Sequence, residues 1–294
     1  MPEGRVIRAY SNFCDVMVSG RVHRCTLRGK LRRQDVEVLT GDLVVVEIAA
    51  DGTGTVREVL PRRSELYRPP IANVDTAIVV FTLKEPPVNF PLVDRLTVLA
   101  GRAGLDVVLC LNKADLCDPA EVEPVTRMYE KASYPMVVTS ARTGEGLDRL
   151  KSFMEGRISV LAGQSGVGKS SLLNVLVPGW TRPTGEVSRK LQRGRHTTKW
   201  VELLEMPAGG FVADTPGFSR LELEGVDPAS LAQDFPEMRD FAGKCRFPDC
   251  LHRCEPDCAV KAAVEAGDIP EGRYRSYLEL LREAEEFHQR RYIR

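Results

Sequence analysis

The chain has 294 residues, 43% of them hydrophobic and 28% charged, with 41 basic and 41 acidic side chains. This composition supplies apolar material for two or three domains and excludes a disordered chain. No apolar run approaches the roughly 20 residues that span a bilayer. The opening Met1-Pro2-Glu3-Gly4-Arg5 lacks a charged-then-apolar leader pattern, so a cytoplasmic protein with no membrane partner is expected.

Residues 1–68 carry twelve basic and nine acidic side chains. Short segments of strand character at 5–9, 16–18, 22–27, 43–48 and 55–60 are punctuated by Ser19-Gly20, Gly41-Asp42 and Asp51-Gly52-Thr53-Gly54. Five strands in this length predict a small β-barrel of the OB type. The stretch from Leu60-Pro61-Arg62-Arg63 to Arg68-Pro69-Pro70 reads as a linker. Residues 69–224 then alternate apolar strands (76–81, 107–111, 136–139, 158–162, 211–213) with amphipathic stretches (92–102, 121–131, 147–155). That alternation predicts an α/β domain with a mainly parallel sheet and helices on both faces. Residues 225–294 are predicted to be a mostly helical third domain. It ends in a helix on which Tyr274, Tyr277, Leu278, Leu281, Ala284 and Phe287 recur at helical spacing. Cys14, Cys25, Cys110 and Cys117 are scattered, whereas Cys245, Cys250, Cys254 and Cys258 lie within one short stretch, a pattern that favours metal over disulfides in this setting.

The middle domain carries the chemistry. Gly163-Gln164-Ser165-Gly166-Val167-Gly168-Lys169-Ser170 fits the phosphate-binding pattern G-x-x-x-x-G-K-[ST] between the strand at 158–162 and a helical run at 171–176 that Ser171 opens. Glycines let backbone N–H groups wrap the α/β-phosphates, and the helix N-terminus favours their charge. Lys169 would reach the β/γ-phosphates and the Ser170 hydroxyl would ligate Mg²⁺. The base is chosen by Asn112-Lys113-Ala114-Asp115, at the carboxyl end of the strand at 107–111. The Asp115 carboxylate can accept from both guanine N1–H and the exocyclic amine, a donor pair that adenine lacks. Asn112 would support the base edge and its loop, and the Lys113 stem would cover the ring. Thr139-Ser140-Ala141 ends another strand, where the N–H groups of Ser140 and Ala141 can face guanine O6. In Asp214-Thr215-Pro216-Gly217, Asp214 would hold Mg²⁺ through water and the Gly217 N–H would sense the γ-phosphate; Thr197 or Thr198 would complete the Mg²⁺ shell.

These motifs stand in an unusual order. Ras-like GTPases carry the phosphate loop first, then the two switches, then N-K-x-D and S-A. Here Asn112–Asp115 and Ser140–Ala141 precede the phosphate loop, and Asp214–Gly217 comes last. A circular permutation preserves the site, because its parts meet in space, but it now joins switch II directly to residues 225–294. Nucleotide state is therefore expected to bias that segment.

In this order of motifs, in Gly194-Arg195-His196-Thr197-Thr198, in the OB-like N-terminus and in the C-terminal Cys/His stretch, the sequence resembles the RsgA (YjeQ) family of circularly permuted GTPases, which act in bacterial small ribosomal subunit assembly. The resemblance covers nearly the whole chain. It implies an enzyme that converts GTP to GDP and phosphate, slowly alone and faster with the small subunit. It also implies one structural Zn²⁺ on Cys245, Cys250, His252 and Cys258; Cys254 either substitutes for a neighbour or stays free. With three thiolates and one imidazole the shell is closed, so a structural metal is expected. It would stabilise a segment with few large apolar residues.

With the resemblance, Arg21, Arg24, Arg28, Lys30, Arg32 and Arg33 become a candidate rRNA face, with Tyr10 and Phe13 as stacking surfaces. The basic stretch from Arg182 to Lys199 is a switch that RNA phosphates would help to order. Phe218 stands where Ras-like proteins place a water-orienting glutamine, which leaves His196 the best candidate to position water, with Lys169 and Thr198 as the other catalytic residues. A monomer is expected. The alternative is a nucleotide-gated RNA-binding protein whose hydrolysis is incidental. A metabolic P-loop kinase is disfavoured by Asn112–Asp115 and by the cysteine cluster.

Overall fold

The computed structural model of the chain describes residues 1–28, 37–67, 70–180, 201–214, 223 and 225–292. In chain order, strands β1 (Glu3–Ala9), β2 (Phe13–Val18), β3 (Arg21–Leu27), β4 (Leu43–Ile48) and β5 (Gly54–Val59) are followed by the short β6 (Glu65–Tyr67) and β7 (Pro70–Ala72). Then come β8 (Thr76–Phe81), α1 (Phe90–Arg102), β9 (Asp106–Leu111), α2 (Pro119–Lys131), β10 (Met136–Val138), α3 (Leu147–Met154), β11 (Ile158–Ala162) and α4 (Lys169–Leu176). After β12 (Glu202–Glu205) and β13 (Phe211–Asp214) the described elements are helical: 3-10 turns at Pro228–Asp234 and Pro236–Met238, then α5 (Arg239–Ala242), α6 (Ala259–Ala266) and α7 (Glu271–Tyr292).

The described residues fall into two compact units. One draws on Met1–Ala77, Lys151–Leu161 and Ser170–Phe218; the other draws on Ile78–Leu150, Ala162–Lys169 and Ser219–Arg294.

In the first unit, β1 to β5 close into a barrel. β1–β2, β2–β3, β4–β5 and β1–β4 pair antiparallel, and β3–β5 pair parallel. This is the OB arrangement expected from the five short strands, and closure removes the exposed strand edges. The inward residues are small and mostly β-branched: Val6, Val16, Val44, Val46 and Val56, with Cys14 and Cys25 directly opposed across β2 and β3. They suit a narrow interior and pleated backbone. β1 continues out of the barrel to pair with β12, which lies antiparallel to β13, itself parallel to β11.

Two details depart from the sequence reading. The stretch expected to be a linker contains β6 and ends where β7 begins, and these two strands pair antiparallel. It is anchored by Arg62, whose guanidinium donates to both oxygens of the buried Asp42 at 2.8 and 2.9 Å and to Glu65 at 2.7 Å. The strand β12 has no counterpart in that reading: four residues with only Leu203 and Leu204 buried give too short a pattern to recognise.

In the second unit, β8, β9 and β10 lie side by side, with β9 and β10 parallel. All six residues of β8 are buried, as befits a strand covered on both faces. Asn89 caps α1 by accepting from Leu92 N–H at 3.0 Å, and Asp118 with Glu121 forms a capping box on α2. The C-terminal helices have an apolar core of their own. Leu231, Phe235, Met238, Val260, Ile269, Tyr277, Leu280 and Leu281 form one core with Val98 of α1.

At the α1 and α2 side of this core sits a fully buried guanidinium. Arg273 of α7 donates to Glu237 at 2.6 and 3.3 Å and to Asp94 of α1, while the Tyr129 hydroxyl of α2 donates to the same Asp94 oxygen at 2.9 Å. The rings of Phe235, Tyr134 and Tyr129 lie 4.7, 5.2 and 5.5 Å from it. Burial works against the charge, but the two carboxylates more than offset it and hold the Arg273 pKa above its ordinary value. Removing one partner of such a cluster leaves buried charge uncompensated. Arg273→Leu is therefore expected to destabilise the protein by about 3–5 kcal/mol in urea unfolding; a loss below about 1 kcal/mol would contradict this reading of the cluster.

Candidate functional site

The phosphate loop leaves β11 and enters α4, as the motif requires. Gly163, Gly166 and Gly168 have φ of 141°, 90° and 93°, where side chains are rarely tolerated. Two of them are also sterically closed: a Cβ would lie 2.1 Å from the Val80 carbonyl oxygen at Gly163 and 2.4 Å from Asn112 Nδ2 at Gly168. Ser165 and Gly166 are exposed, and Gln164, Ser170 and Ser171 are half-buried. Lys169 Nζ donates to the Gly163 and Gln164 carbonyls at 2.6 and 2.8 Å, so its ammonium lies inside the loop's own curve.

Asn112 ties this loop to the N-K-x-D and S-A segments. The side chain is buried; Nδ2 donates to the Val167 carbonyl at 2.9 Å, and Oδ1 accepts from Ala141 N–H and the Thr139 hydroxyl, each at 3.2 Å. One amide thus links N-K-x-D, S-A and the phosphate loop. The N–H groups of Ser140 and Ala141, expected to face O6, donate to Glu145 O at 3.0 Å and to Asn112 Oδ1. Lys113 adopts the left-handed region at φ 62° and its Nζ donates to the Glu85 carbonyl at 2.7 Å. Asp115 accepts from the Ser140 hydroxyl at 2.5 Å and from Arg142 Nε at 2.7 Å. Ser140 first, and then Arg142, hold its carboxyl below the ordinary range.

The sequence reading missed two parts of this site. The turn after β8 supplies a third wall: Glu85 O receives Lys113, Pro87 O receives Gln164 Nε2 at 3.2 Å, and the Pro86 ring is 3.4 Å from where a Cβ on Gly166 would lie. The Pro86-Pro87 pair at a strand's carboxyl end was the available signal. Arg142 had none, since an arginine after S-A is indistinguishable from a solvated one.

The cysteine cluster resolves into four ligand atoms. Cys245, Cys250, His252 and Cys258 place theirs within 4.8 Å of one another. His252 Nδ1 lies 3.4, 3.4 and 3.5 Å from the sulfurs of Cys245, Cys250 and Cys258, and Cys245 and Cys258 are 3.8 Å apart. Zn–S of ~2.3 Å and Zn–N of ~2.0–2.1 Å at the tetrahedral angle require separations of about 3.8 and about 3.5 Å, so the residues fit that ion. The loop is braced from two sides. Glu255 accepts from the N–H groups of Leu251, Arg253 and Cys254 at 2.9, 2.8 and 3.0 Å, and the Tyr274 and Tyr277 hydroxyls donate to the carbonyls of His252 and Leu251 at 2.7 and 2.8 Å. Burial opposes ionisation of Glu255, yet those backbone donors bring its carboxyl down to about 2. Cys254 is exposed and outside the tetrad.

On the barrel, Tyr10 and Phe13 stack at 4.3 Å, Arg24 lies 4.7 Å over the Phe13 ring, and Arg21, Arg24 and Arg28 are exposed. Lys30, Arg32, Arg33, the stretch 182–199 with His196, Thr197 and Thr198, and Gly217 and Phe218 lie outside the described residues. Asp214 is the last residue of β13. Among the described residues no helix is long and apolar enough to cross a membrane.

Two outcomes follow from this geometry. Asn112→Ala strands the buried Val167 carbonyl and loosens both loops, so GDP and GTP affinities should fall together by about tenfold in titration calorimetry; unchanged affinity would contradict the junction. Cys254→Ser should retain one metal per chain after dialysis, whereas Cys250→Ser should lose it; loss in the Cys254 variant would place that thiol among the ligands.

Comparison with known proteins identifies the family. The RsgA GTPase family model matches residues 59–224 and the RsgA N-terminal domain model matches residues 3–56. The chain is 48% identical over 281 residues to the small ribosomal subunit biogenesis GTPase RsgA of Moorella thermoacetica, covering 96% of this chain and 97% of that one. It is 45% identical over 290 residues to the protein of the same name from Caldanaerobacter subterraneus subsp. tengcongensis, covering 99% and 98%. The crystal structure of YjeQ from Thermotoga maritima superposes with a TM-score of 0.84 at 40% identity, over 96% of this chain and 98% of that one. YloQ, described as a circularly permuted GTPase, gives 0.80 at 36% identity over 97% and 96%. With matches across both its barrel and its permuted nucleotide site, this chain belongs to the RsgA family of GTPases.

Proposed function

We propose that this chain binds the small ribosomal subunit and hydrolyses GTP during its late maturation, with turnover slow alone and stimulated by the subunit. The observation that supports the nucleotide half of this reading is the Asn112 junction, which joins the phosphate loop to the S-A segment. The relatives' shared name supports the ribosomal half.

In this reading Asp115 accepts from guanine N1–H and the exocyclic amine, Asn112 and Lys113 shape the base slot, and Ser140 and Ala141 line it. Residues 163–168, with Ser171 at the start of α4, cradle the phosphates through backbone N–H groups. Lys169 turns from its loop carbonyls to the β/γ-phosphates. Ser170, Asp214 and one of Thr197 or Thr198 hold Mg²⁺, which when bound neutralises charge on the phosphates. Gly217 reads the γ-phosphate. His196 positions the attacking water, because Phe218 offers no hydrogen bond.

Three segments divide the work, with residues 1–68 for rRNA, 69–224 for nucleotide and 225–294 as a zinc domain. Tyr10, Phe13 and Arg24 supply stacking and charge for RNA, with Arg21 and Arg28 beside them in sequence. Zn²⁺ on Cys245, Cys250, His252 and Cys258 is structural. The protein works as a cytoplasmic monomer. A second reading, a nucleotide-gated RNA-binding protein, draws on Phe218 and its missing glutamine.

GTP turnover, with ATP as control, should be low alone and rise by about tenfold or more with purified small subunits, and not with an equal mass of large subunits. Tight GTP binding without stimulated turnover would favour the second reading. His196→Ala should remove the stimulated part and leave GDP affinity unchanged; full stimulation in that variant would end its proposed role.

A further inference from the structure

The carboxylate that selects the base is already engaged on both oxygens, by partners of different kinds. Ser140 is wholly buried, and its hydroxyl reaches Oδ1 at 2.5 Å while accepting from Thr143 N–H at 3.2 Å. It is part of the loop's own structure. Arg142 reaches Oδ2 at 2.7 Å with a side chain 74% exposed, whereas the Asp115 side chain is 10% exposed. The guanidinium therefore lies on the solvent side of a carboxylate that is itself mostly covered.

A guanine ring must arrive from that side. Its N1–H and amine need the two oxygens together, and each carboxylate oxygen has room for more than one donor. Ser140 can stay, because it approaches from the core. Arg142 stands where the base donors must come. We propose that Arg142 is a positioning residue that sets the affinity of the nucleotide site: its guanidinium holds Asp115 until guanine displaces it, so base entry is a competition between two donors for one carboxylate. This rests on the reading of Asp115 as the guanine acceptor. Adenine, with an acceptor at N1, cannot replace the ion pair it would have to break. Opening the pair costs the same whichever base enters, so the competition lowers both affinities by one factor and leaves their ratio to the donors each base offers Asp115.

The test is equilibrium binding of GDP and ADP to the full chain, unaltered and as Arg142→Ala. An exposed ion pair that must open before binding lowers apparent affinity by a small factor, so Arg142→Ala should bind GDP about two- to fivefold more tightly. Its preference for GDP over ADP should stay the same, because the cost of opening the pair is common to both bases. The gap between variant and unaltered protein should shrink as salt rises from about 0.05 to about 0.5 M, where exposed charges are screened. GDP affinity that is unchanged or weakened in Arg142→Ala overturns the proposal. Asp115→Asn separates the two levels. If it binds GDP as the unaltered chain does, the reading of Asp115 fails and takes the proposal with it. If it loses GDP while Arg142→Ala leaves affinity unchanged, only the Arg142 proposal falls.

Discussion

The side chain of Asn112 makes three hydrogen bonds in a buried setting, and the nucleotide site depends on all of them. It needs a donor and an acceptor on one short, rigid group. Aspartate at this position would offer no donor to the Val167 carbonyl, and a longer amide would not fit against Gly168, where even a methyl group is excluded by 2.4 Å. Because the amide bridges loops that are distant in sequence, the order in which the chain visits them does not matter to the site. The permuted motif order is tolerated for that reason: the site is held together by contacts rather than by succession.

What the permutation changes is the neighbour each loop carries. The C-terminal helices share a core with α1 and are fastened by Arg273 to Asp94 of α1, with Tyr129 of α2 on the same carboxylate. α1 follows the Pro86-Pro87 turn, and α2 follows Asp115. The elements flanking the base slot are thus the ones that hold the cysteine centre's scaffold. That scaffold continues to the Cys/His loop through Tyr274 and Tyr277 of α7. The helices that brace the cysteine tetrad thus pack on α1 and share the Asp94 carboxylate with α2.

Much of this was legible in the sequence because the responsible signals are local. Gly163 to Ser170 and Asn112 to Asp115 are contiguous, and their chemistry is stated by residue type and spacing alone. The barrel was legible from short strands and turn residues. Contacts made at long range were not. Arg273 is one polar position on an amphipathic helix, and nothing in its neighbourhood announces Asp94, 179 positions away. β6 and β7 hid inside a stretch rich in proline and charge, and Arg62 gave no hint that it clamps a buried Asp42. Spacing also left Cys254 ambiguous among four cysteines. Geometry decides it: the tetrad forms without Cys254, and the backbone N–H at that position is turned to Glu255.

The central claim is that one carboxylate, held in register with the phosphate loop, reads guanine. The most direct measurement is the affinity of the unaltered chain for GDP, inosine diphosphate and ADP under one set of conditions. Inosine keeps N1–H and lacks the exocyclic amine, so it removes a single hydrogen bond to Asp115. The account predicts that GDP binds most tightly, inosine diphosphate about tenfold or more weakly, and ADP not measurably in the same range. Equal affinity for GDP and ADP would contradict it.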